Sequence, residues 1–129
     1  MAVIFSESKT KENLMRAFAG ESQARNRYTF AAEQCRREGM QSIGGIFLYT
    51  ADQELAHARR FYELLKPETG TTIFIDGSYP VDEPGSVQDL LQAAAHNENE
   101  EAVDVYPAFA RIAKEEGFYE AASTFMQIA

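Results

Sequence analysis

Residues 43–64 read IGGIFLYTADQELAHARRFYEL and form the most informative segment of the chain. Apolar side chains recur in it at alternating steps of four and three residues, which is the period of an amphipathic α-helix. Glu54 and His57 occupy the same inward face as Phe47 and Phe61. A carboxylate and an imidazole at core positions are unfavourable unless other groups compensate them, so the segment indicates a polar site inside a helical bundle.

Two further segments show the same interruption of an apolar face by acidic residues. The first segment places on one face Leu14, Ala17, Glu21, Ala24, Tyr28, Ala31 and Cys35. The third segment gives the face Val87, Leu91, Ala94, Glu98, Glu101, Val105, Ala108 and Ile112. Burying ionised carboxylates costs several kcal/mol each, so cations must share the interior with them. A pair of divalent metal ions would satisfy this requirement.

The capping residues, glycines and prolines along the chain predict an all-α fold in one domain, residues 1–129. Helices are expected over about 10–38, 42–66, 87–116 and 118–129, with Ser8 or Thr10 as the first N-cap, and a long crossover over 67–86 joins helices 2 and 3. Its length allows helix 3 to run parallel to helix 2, and residues 71–75 could form a short extended piece. Pro107 predicts a kink just beyond Tyr106.

The fourth helix is expected to be truncated, because it begins near Phe118 and the sequence stops at Ala129. Glu98 and Glu101 lie 19 and 16 residues before Gly117. A facing antiparallel helix reaches their level only a similar distance after that glycine. We therefore expect the domain to be incomplete at its C-terminus and the natural protein to continue.

Composition limits the classes of function. The formal charge is −8, from 12 basic and 20 acidic residues, and dispersed Lys and Arg argue against a nucleic-acid surface. No apolar run is long enough to span a bilayer and no signal peptide is evident, so the expected location is the cytoplasm. Cys35 permits no internal disulfide and fits the helix 1 face as a small buried hydrophobe.

The acidic set predicts the kind of metal. Carboxylates with one imidazole per ion suit iron or manganese better than zinc, and two bridged ions are expected about 3.5 to 4 Å apart. Such a pair can pass two electrons to peroxide or dioxygen. Tyr28 and Tyr106 could donate hydrogen bonds at this site or could simply pack in the core. His96 is expected at the surface, and Arg25 is expected to be exposed.

Three motifs occur in the order GESQARNRYTF at 20–30, DQELAHARRF at 52–61 and YPAFARIAKEEGF at 106–118. Together they strongly resemble the rubrerythrin family, over nearly the whole chain from about Lys9. The resemblance implies a ferritin-like four-helix bundle with two iron ions in a non-haem centre. It further implies an oxidative-stress peroxidase that reduces hydrogen peroxide to water, usually assembled as a homodimer.

The resemblance also assigns roles to residues. The family's metal ligands correspond to Glu21, Glu54, His57, Glu98 and Glu101. One iron is implied to shift between the positions of Glu101 and His57 with oxidation state. Tyr28 and Tyr106 match family tyrosines whose hydroxyls help to position peroxide and the neighbouring carboxylates.

Two family features have no counterpart in the sequence. The second Glu-x-x-His motif, on helix 4, would be expected within a few residues after Ala129. A rubredoxin-like domain with four cysteines is likewise absent, so electrons would have to come from an external donor such as a rubredoxin or a reductase. Manganese or zinc could replace iron in such a site.

Two other functions remain open. One is a ferritin-like ferroxidase or iron-handling protein, which would need a closed shell of many subunits to store iron. The other is a metal-poor structural assembly, which would expose the apolar faces of helices 1 to 3 for a partner to cover. Exchange of helices between protomers could cover them, because the crossover makes such an exchange sterically easy.

Overall fold

The computed structural model describes residues 3–82 and 86–129, and all regular secondary structure among these residues is helical, with no strand. The main helices are α1 (Lys9–Arg37), α2 (Gln41–Leu64), α3 (Val87–Glu100), α4 (Tyr106–Glu116) and α5 (Tyr119–Ile128). Short 3-10 turns span Phe5–Glu7 and Lys66–Glu68, and a π-helical turn, Glu101–Val105, joins α3 to α4. The predicted all-α fold is confirmed, and residues 71–75 form no strand. Residues 83–85 of the predicted crossover lie outside the described residues.

The ends of α1 follow the capping signals in the sequence. Ser8 is the N-cap, and its Oγ accepts a hydrogen bond from the Lys11 backbone N–H at 3.0 Å. The Glu116 carboxylate accepts from the backbone N–H of Lys9 and of Thr10. Its negative charge therefore lies at the positive end of the helix dipole. At the other end, Gly39 has φ +76° and reverses the chain into α2.

Contacts between helices fix their directions. Cys35 packs beside Gly44 and Glu21 contacts His57, so α1 and α2 are antiparallel. Tyr28 contacts Glu98 and Thr10 contacts Glu116, so α1 is also antiparallel to α3 and α4. Helix α2 therefore runs parallel to α3 and α4, one of the arrangements that the length of the crossover allows. No helix in the described parts of the chain is long and apolar enough to cross a membrane.

Two apolar clusters form the core, and a polar layer lies between them. One cluster contains Leu14, Ala17, Phe61, Leu65, Tyr106, Ala110, Ala113, Ala121 and Phe125. The other contains Ala24, Tyr28, Ala31, Ala32, Cys35, Phe47, Ala51, Val87 and Leu90. On each long helix the acidic positions fall between the two sets of residues. The apolar face predicted for α1 is entirely buried within the chain, contrary to the exposed face expected of a purely structural assembly.

The third predicted helix, about 87–116, differs from its prediction at the π-helical turn. The Tyr106 N–H donates to the Glu101 carbonyl five residues earlier, so one turn contains an extra residue. The irregularity predicted just beyond Tyr106 is thus a π turn that precedes it, with Pro107 in the first turn of α4. The buried positions shift accordingly. Tyr106, Ala110 and Ala113 are buried in place of the predicted Val105, Ala108 and Ile112.

Gly44 and Gly45 offer a matched test of packing between α1 and α2. A Cβ at Gly44 would lie 3.3 Å from the Cys35 Cβ and 3.4 Å from the Ala32 carbonyl, whereas a Cβ at Gly45 meets nothing within 4 Å. We expect Gly45→Ala to stabilise the protein by about 0.5 to 1 kcal/mol, because alanine is the better helix former. Gly44→Ala should lack this gain and lower the melting temperature. Thermal unfolding of both variants measures the difference, and equal shifts would contradict it.

Candidate metal centre

Three residues from α1 and α2 bring metal-binding atoms together in the polar layer. Glu21, Glu54 and His57 each offer one ligand atom, and these atoms all lie within 4.8 Å of one another. Glu54 and His57 are three residues apart on α2, so they share one helix face. Glu21 reaches the same point from α1, with its Oε2 3.7 Å from His57 Nδ1. The structure therefore brings together three of the five predicted ligands as one group.

The two carboxylates of this group are almost completely buried. Glu21 is 1% exposed and Glu54 is 3% exposed. The Oε2 atoms of both residues have no hydrogen-bond partner among the described residues. A buried oxygen without a partner is unfavourable unless a cation or another donor satisfies it. The donor set of two carboxylates and one imidazole fits a divalent metal ion, and the unpartnered oxygens are available to bind it.

Two tyrosine hydroxyls hold acidic groups in place. The Tyr106 hydroxyl donates a hydrogen bond to Glu21 Oε1 at 2.8 Å, and the Tyr28 hydroxyl donates to Glu98 Oε1 at 2.8 Å. Burial, together with the neighbouring carboxylate charges, raises the pKa of both phenols above the ordinary value. Both hydroxyls therefore remain protonated and act as hydrogen-bond donors across the physiological range.

Glu98 and Glu101 lie outside the three-residue group, on α3 and the π turn. Both are only partly buried. Burial, followed by the charges of Glu21 and Glu98, raises the pKa of Glu101 to about 8. Without metal, Glu101 therefore keeps its proton near neutral pH. Bound cations would offset both causes, because their positive charge favours the ionised form of a buried carboxylate.

His57 is the most exposed of the three residues in the group. Its side chain is 34% exposed, whereas Glu21 and Glu54 are buried. The contact with Glu21 raises the pKa of His57 above the ordinary 6.5, although burial acts in the opposite direction. An imidazolium beside Glu21 would partly compensate that buried carboxylate when no metal is present.

These shifts predict that the metal-free protein becomes less stable as pH rises. The unfolded chain releases the Glu101 proton near pH 4.5 and the folded chain only near pH 8, so unfolding is increasingly favoured between these values. The stabilisation from His57 is fully present below pH 6.5 and is lost as pH rises through its higher folded pKa. Melting temperatures in the presence of a chelator should fall over this range. Glu101→Gln should flatten the decline, and an identical slope in that variant would contradict the assignment.

A cavity of about 520 Å³ opens beside the centre, with Glu101 and Tyr106 in its wall. Its other walls come from α1, from crossover residues 77–80, from α3, and from the π turn and α4. Among these wall residues, Arg16, Arg27 and Tyr79 were not predicted as site residues. Helical periodicity gives no signal for Tyr79, because the crossover is not helical, and the two arginines read as ordinary surface charges.

The positions of His96, Cys35 and Arg25 were also predicted. His96 is exposed and contacts Glu100 on the surface, and Cys35 is fully buried, both as expected. Arg25 was expected to be exposed, but it is only partly exposed and its Nε is buried without a hydrogen-bond partner among the described residues. Its long aliphatic stem allows such partial burial on a helix face.

Comparison with known sequences agrees with the geometry of the site. The rubrerythrin family profile matches residues 12–129. The chain is 52% identical over 122 residues to rubrerythrin from Porphyromonas gingivalis, covering 95% of this chain and 60% of that protein. It is 47% identical to rubrerythrin from Clostridium perfringens, covering 95% of this chain and 63% of that protein. The chain thus spans less than two thirds of the length of these relatives.

Solved structures of nigerythrin share the same fold. A mixed-valence state superposes with a TM-score of 0.76 at 34% identity, covering 98% of this chain and 63% of nigerythrin. A fully reduced, all-ferrous state gives a TM-score of 0.75 at 34% identity, covering 96% of this chain and 63% of nigerythrin. The fold is therefore the ferritin-like helical fold. With the family profile matching almost its whole length, the chain belongs to the rubrerythrin family.

Proposed function

We propose that this chain is the di-iron part of a peroxidase that reduces hydrogen peroxide to water with electrons from an external carrier. Its family consists in general of di-iron proteins of the oxidative-stress response. The observation that carries the proposal is the convergence of Glu21, Glu54 and His57 within 4.8 Å, with two buried oxygens lacking partners. Carboxylate-rich sites with few imidazoles suit iron and manganese.

In this proposal the five predicted ligands divide by position. Glu21, Glu54 and His57 would hold one ion, and Glu98 and Glu101 would contribute to the second. Two bound iron ions would supply the two electrons that cleavage of the O–O bond requires, while two protons complete the formation of two water molecules. The relatives are longer than this chain, so the remaining ligands of the second ion are expected from elsewhere in the protein.

The chain's own residues would position the reacting groups. Tyr106 holds Glu21 through its hydroxyl and also lines the cavity, so it can meet a small solute that enters there. Tyr28 holds Glu98 in the same way. Glu101 also lines the cavity, and its carboxyl group holds a proton there only while no cation is bound to it. Fixed hydrogen-bond donors beside the O–O bond support its reductive cleavage to water.

The proposal is tested by mixing the anaerobically reduced, iron-loaded protein with hydrogen peroxide or with dioxygen. We expect peroxide to oxidise the ferrous protein much faster, with two electrons consumed per peroxide. Faster oxidation by dioxygen would favour the ferroxidase function instead. Sedimentation velocity on the same sample tests the predicted homodimer, because iron storage would require a large closed shell.

A further inference from the structure

The cavity beside the metal centre has a cover formed by the crossover. Gly77, Ser78, Tyr79 and Pro80 line the same cavity as Glu101 and Tyr106. A solute of a few atoms in this space can contact these two residues, which the proposed function places at the site. The crossover therefore lies where it can control access to them.

Side chains, and not backbone hydrogen bonds, attach this part of the crossover to the helices. Among the described residues, the last backbone hydrogen bond before α3 is from Thr71 N–H to the Glu68 carbonyl. Arg16 binds Asp76 through Nε to the carbonyl at 2.9 Å and through Nη2 to Oδ1 at 2.8 Å. The Tyr79 hydroxyl donates to the Arg16 carbonyl at 3.0 Å. All three bonds start or end at one residue of α1.

The second attachment point is better protected than the first. Arg27 Nη1 lies 3.1 Å from Asp82 Oδ2, which also accepts from Asn97 Nδ2 at 3.3 Å. The Asp82 side chain is 25% exposed, whereas the Asp76 side chain is 86% exposed. An exposed ion pair contributes little to stability. A partly buried carboxylate with two hydrogen-bond partners is held more firmly. Opening is therefore expected at residues 76–79, with the pair of Arg27 and Asp82 as the fixed end.

The Tyr79 ring fills the space above α1. A Cβ at Gly20 would lie 3.4 Å from Tyr79 Cε1, and a Cβ at Gly77 would lie 3.5 Å from the Tyr79 hydroxyl oxygen. Two glycines thus leave room for one aromatic ring at the wall of the cavity. Tyr79 is 41% exposed, so its ring stands between the cavity wall and solvent.

We propose that residues 76–79 form a movable cover on the access route to the metal centre, anchored at Asp82, and that the Tyr79 ring packed beside Gly20 narrows this route for bulky peroxides. The inference rests on the proposed function for the identity of the solute. The cover itself can be tested without metal, which separates the two ideas.

The first experiment measures access in the metal-free protein. Ala17 lines the cavity and is 2% exposed, so Ala17→Cys places a buried thiol in the cavity wall, and its labelling by a small reagent should depend on the cover. Tyr79→Phe removes the hydroxyl bond to Arg16 and should speed labelling about fivefold, and Tyr79→Ala should speed it further. The native Cys35 is 0% exposed in the other apolar cluster and provides the internal control.

Parallel acceleration at Cys35 would indicate general loosening and would overturn the proposal, as would unchanged labelling at position 17 in Tyr79→Ala. If Ala17→Cys does not fold, Val105→Cys replaces it, because Val105 also lines the cavity. There the discriminating quantity is the ratio of labelling by a bulky reagent to labelling by a small one. This ratio should rise in Tyr79→Ala.

The second experiment uses the iron-loaded protein and compares hydrogen peroxide with tert-butyl hydroperoxide. Tyr79→Ala should raise the relative rate of the bulky peroxide about tenfold, at the lower end of steric discrimination in enzyme pockets. An unchanged ratio would overturn the role of Tyr79 in selection. If neither peroxide reacts, the peroxidase proposal fails, whereas the thiol-labelling result still decides whether the cover exists.

Discussion

Glu54→Gln should abolish tight metal binding while leaving the metal-free protein at least as stable as the unmodified chain. Glu54 is 3% exposed, and its Oε2 has no partner among the described residues. Loss of a ligand should weaken binding by more than about 100-fold, because even residues that only orient ligands contribute about 10- to 100-fold. Removing a charge-bearing oxygen from the interior should raise metal-free stability by about 1 to 3 kcal/mol.

The opposite signs of these two effects make the result diagnostic. Titration with ferrous iron under anaerobic conditions measures affinity, and melting temperatures with and without metal measure the linked stabilisation. Glu63→Gln on the same helix removes the same charge from an exposed position and is the matched control. It should leave metal binding intact. Retention of normal iron affinity in Glu54→Gln would remove Glu54 from the centre.

Tyr106→Phe should have the second largest effect, through the hydrogen bond to Glu21. The ring would still pack against Phe61 and Phe125, but Glu21 Oε1 would lose its donor in a buried site. We expect the free energy of unfolding to fall by about 1 to 3 kcal/mol. Peroxide reduction by the iron-loaded protein should slow by about tenfold or more, because a fixed donor at the site is lost.

Tyr28→Phe provides a graded comparison for this prediction. Its acceptor Glu98 is only partly buried, so water can replace the lost hydroxyl and the effect should be smaller. Tyr119→Phe at an exposed position should change neither stability nor turnover. Chemical unfolding and stopped-flow kinetics on the three variants give the ranking. A larger effect for Tyr28 than for Tyr106 would contradict the importance of burial.

The first two helices were predictable because their regularity is unbroken. All seven positions predicted for the inner face of α1 are buried, and Phe47, Glu54 and Phe61 are buried on α2. A regular α-helix carries a 3.6-residue period along its full length, so sequence spacing translates directly into a face. The three-residue group could be located from this period alone.

The buried positions of the third predicted helix, about 87–116, were harder to predict for two physical reasons. Leu90 and Leu91 are adjacent, and a rotation of about 100° about the helix axis decides which of them is buried. The structure buries Leu90 and exposes Leu91, contrary to prediction. The π turn then shifts the period by one residue, which no regular spacing rule includes. The cover over the cavity could not be predicted at all, since it depends on long-range contacts of an irregular segment.

The additional residue in the turn Glu101–Val105 sets which side chains of α4 lie on the same face as those of α3. If residues 101–105 formed a regular α-helical turn with no residue removed, everything downstream would rotate by about 100°. Tyr106 would then turn away from Glu21, and Ala110 and Ala113 would leave the apolar interior. Deletion of one residue there, for example of Ala102, would restore ordinary helical pitch and keep Tyr106 on its present face. In alignments of related chains, a one-residue gap at this point is therefore compatible with a retained reaction centre.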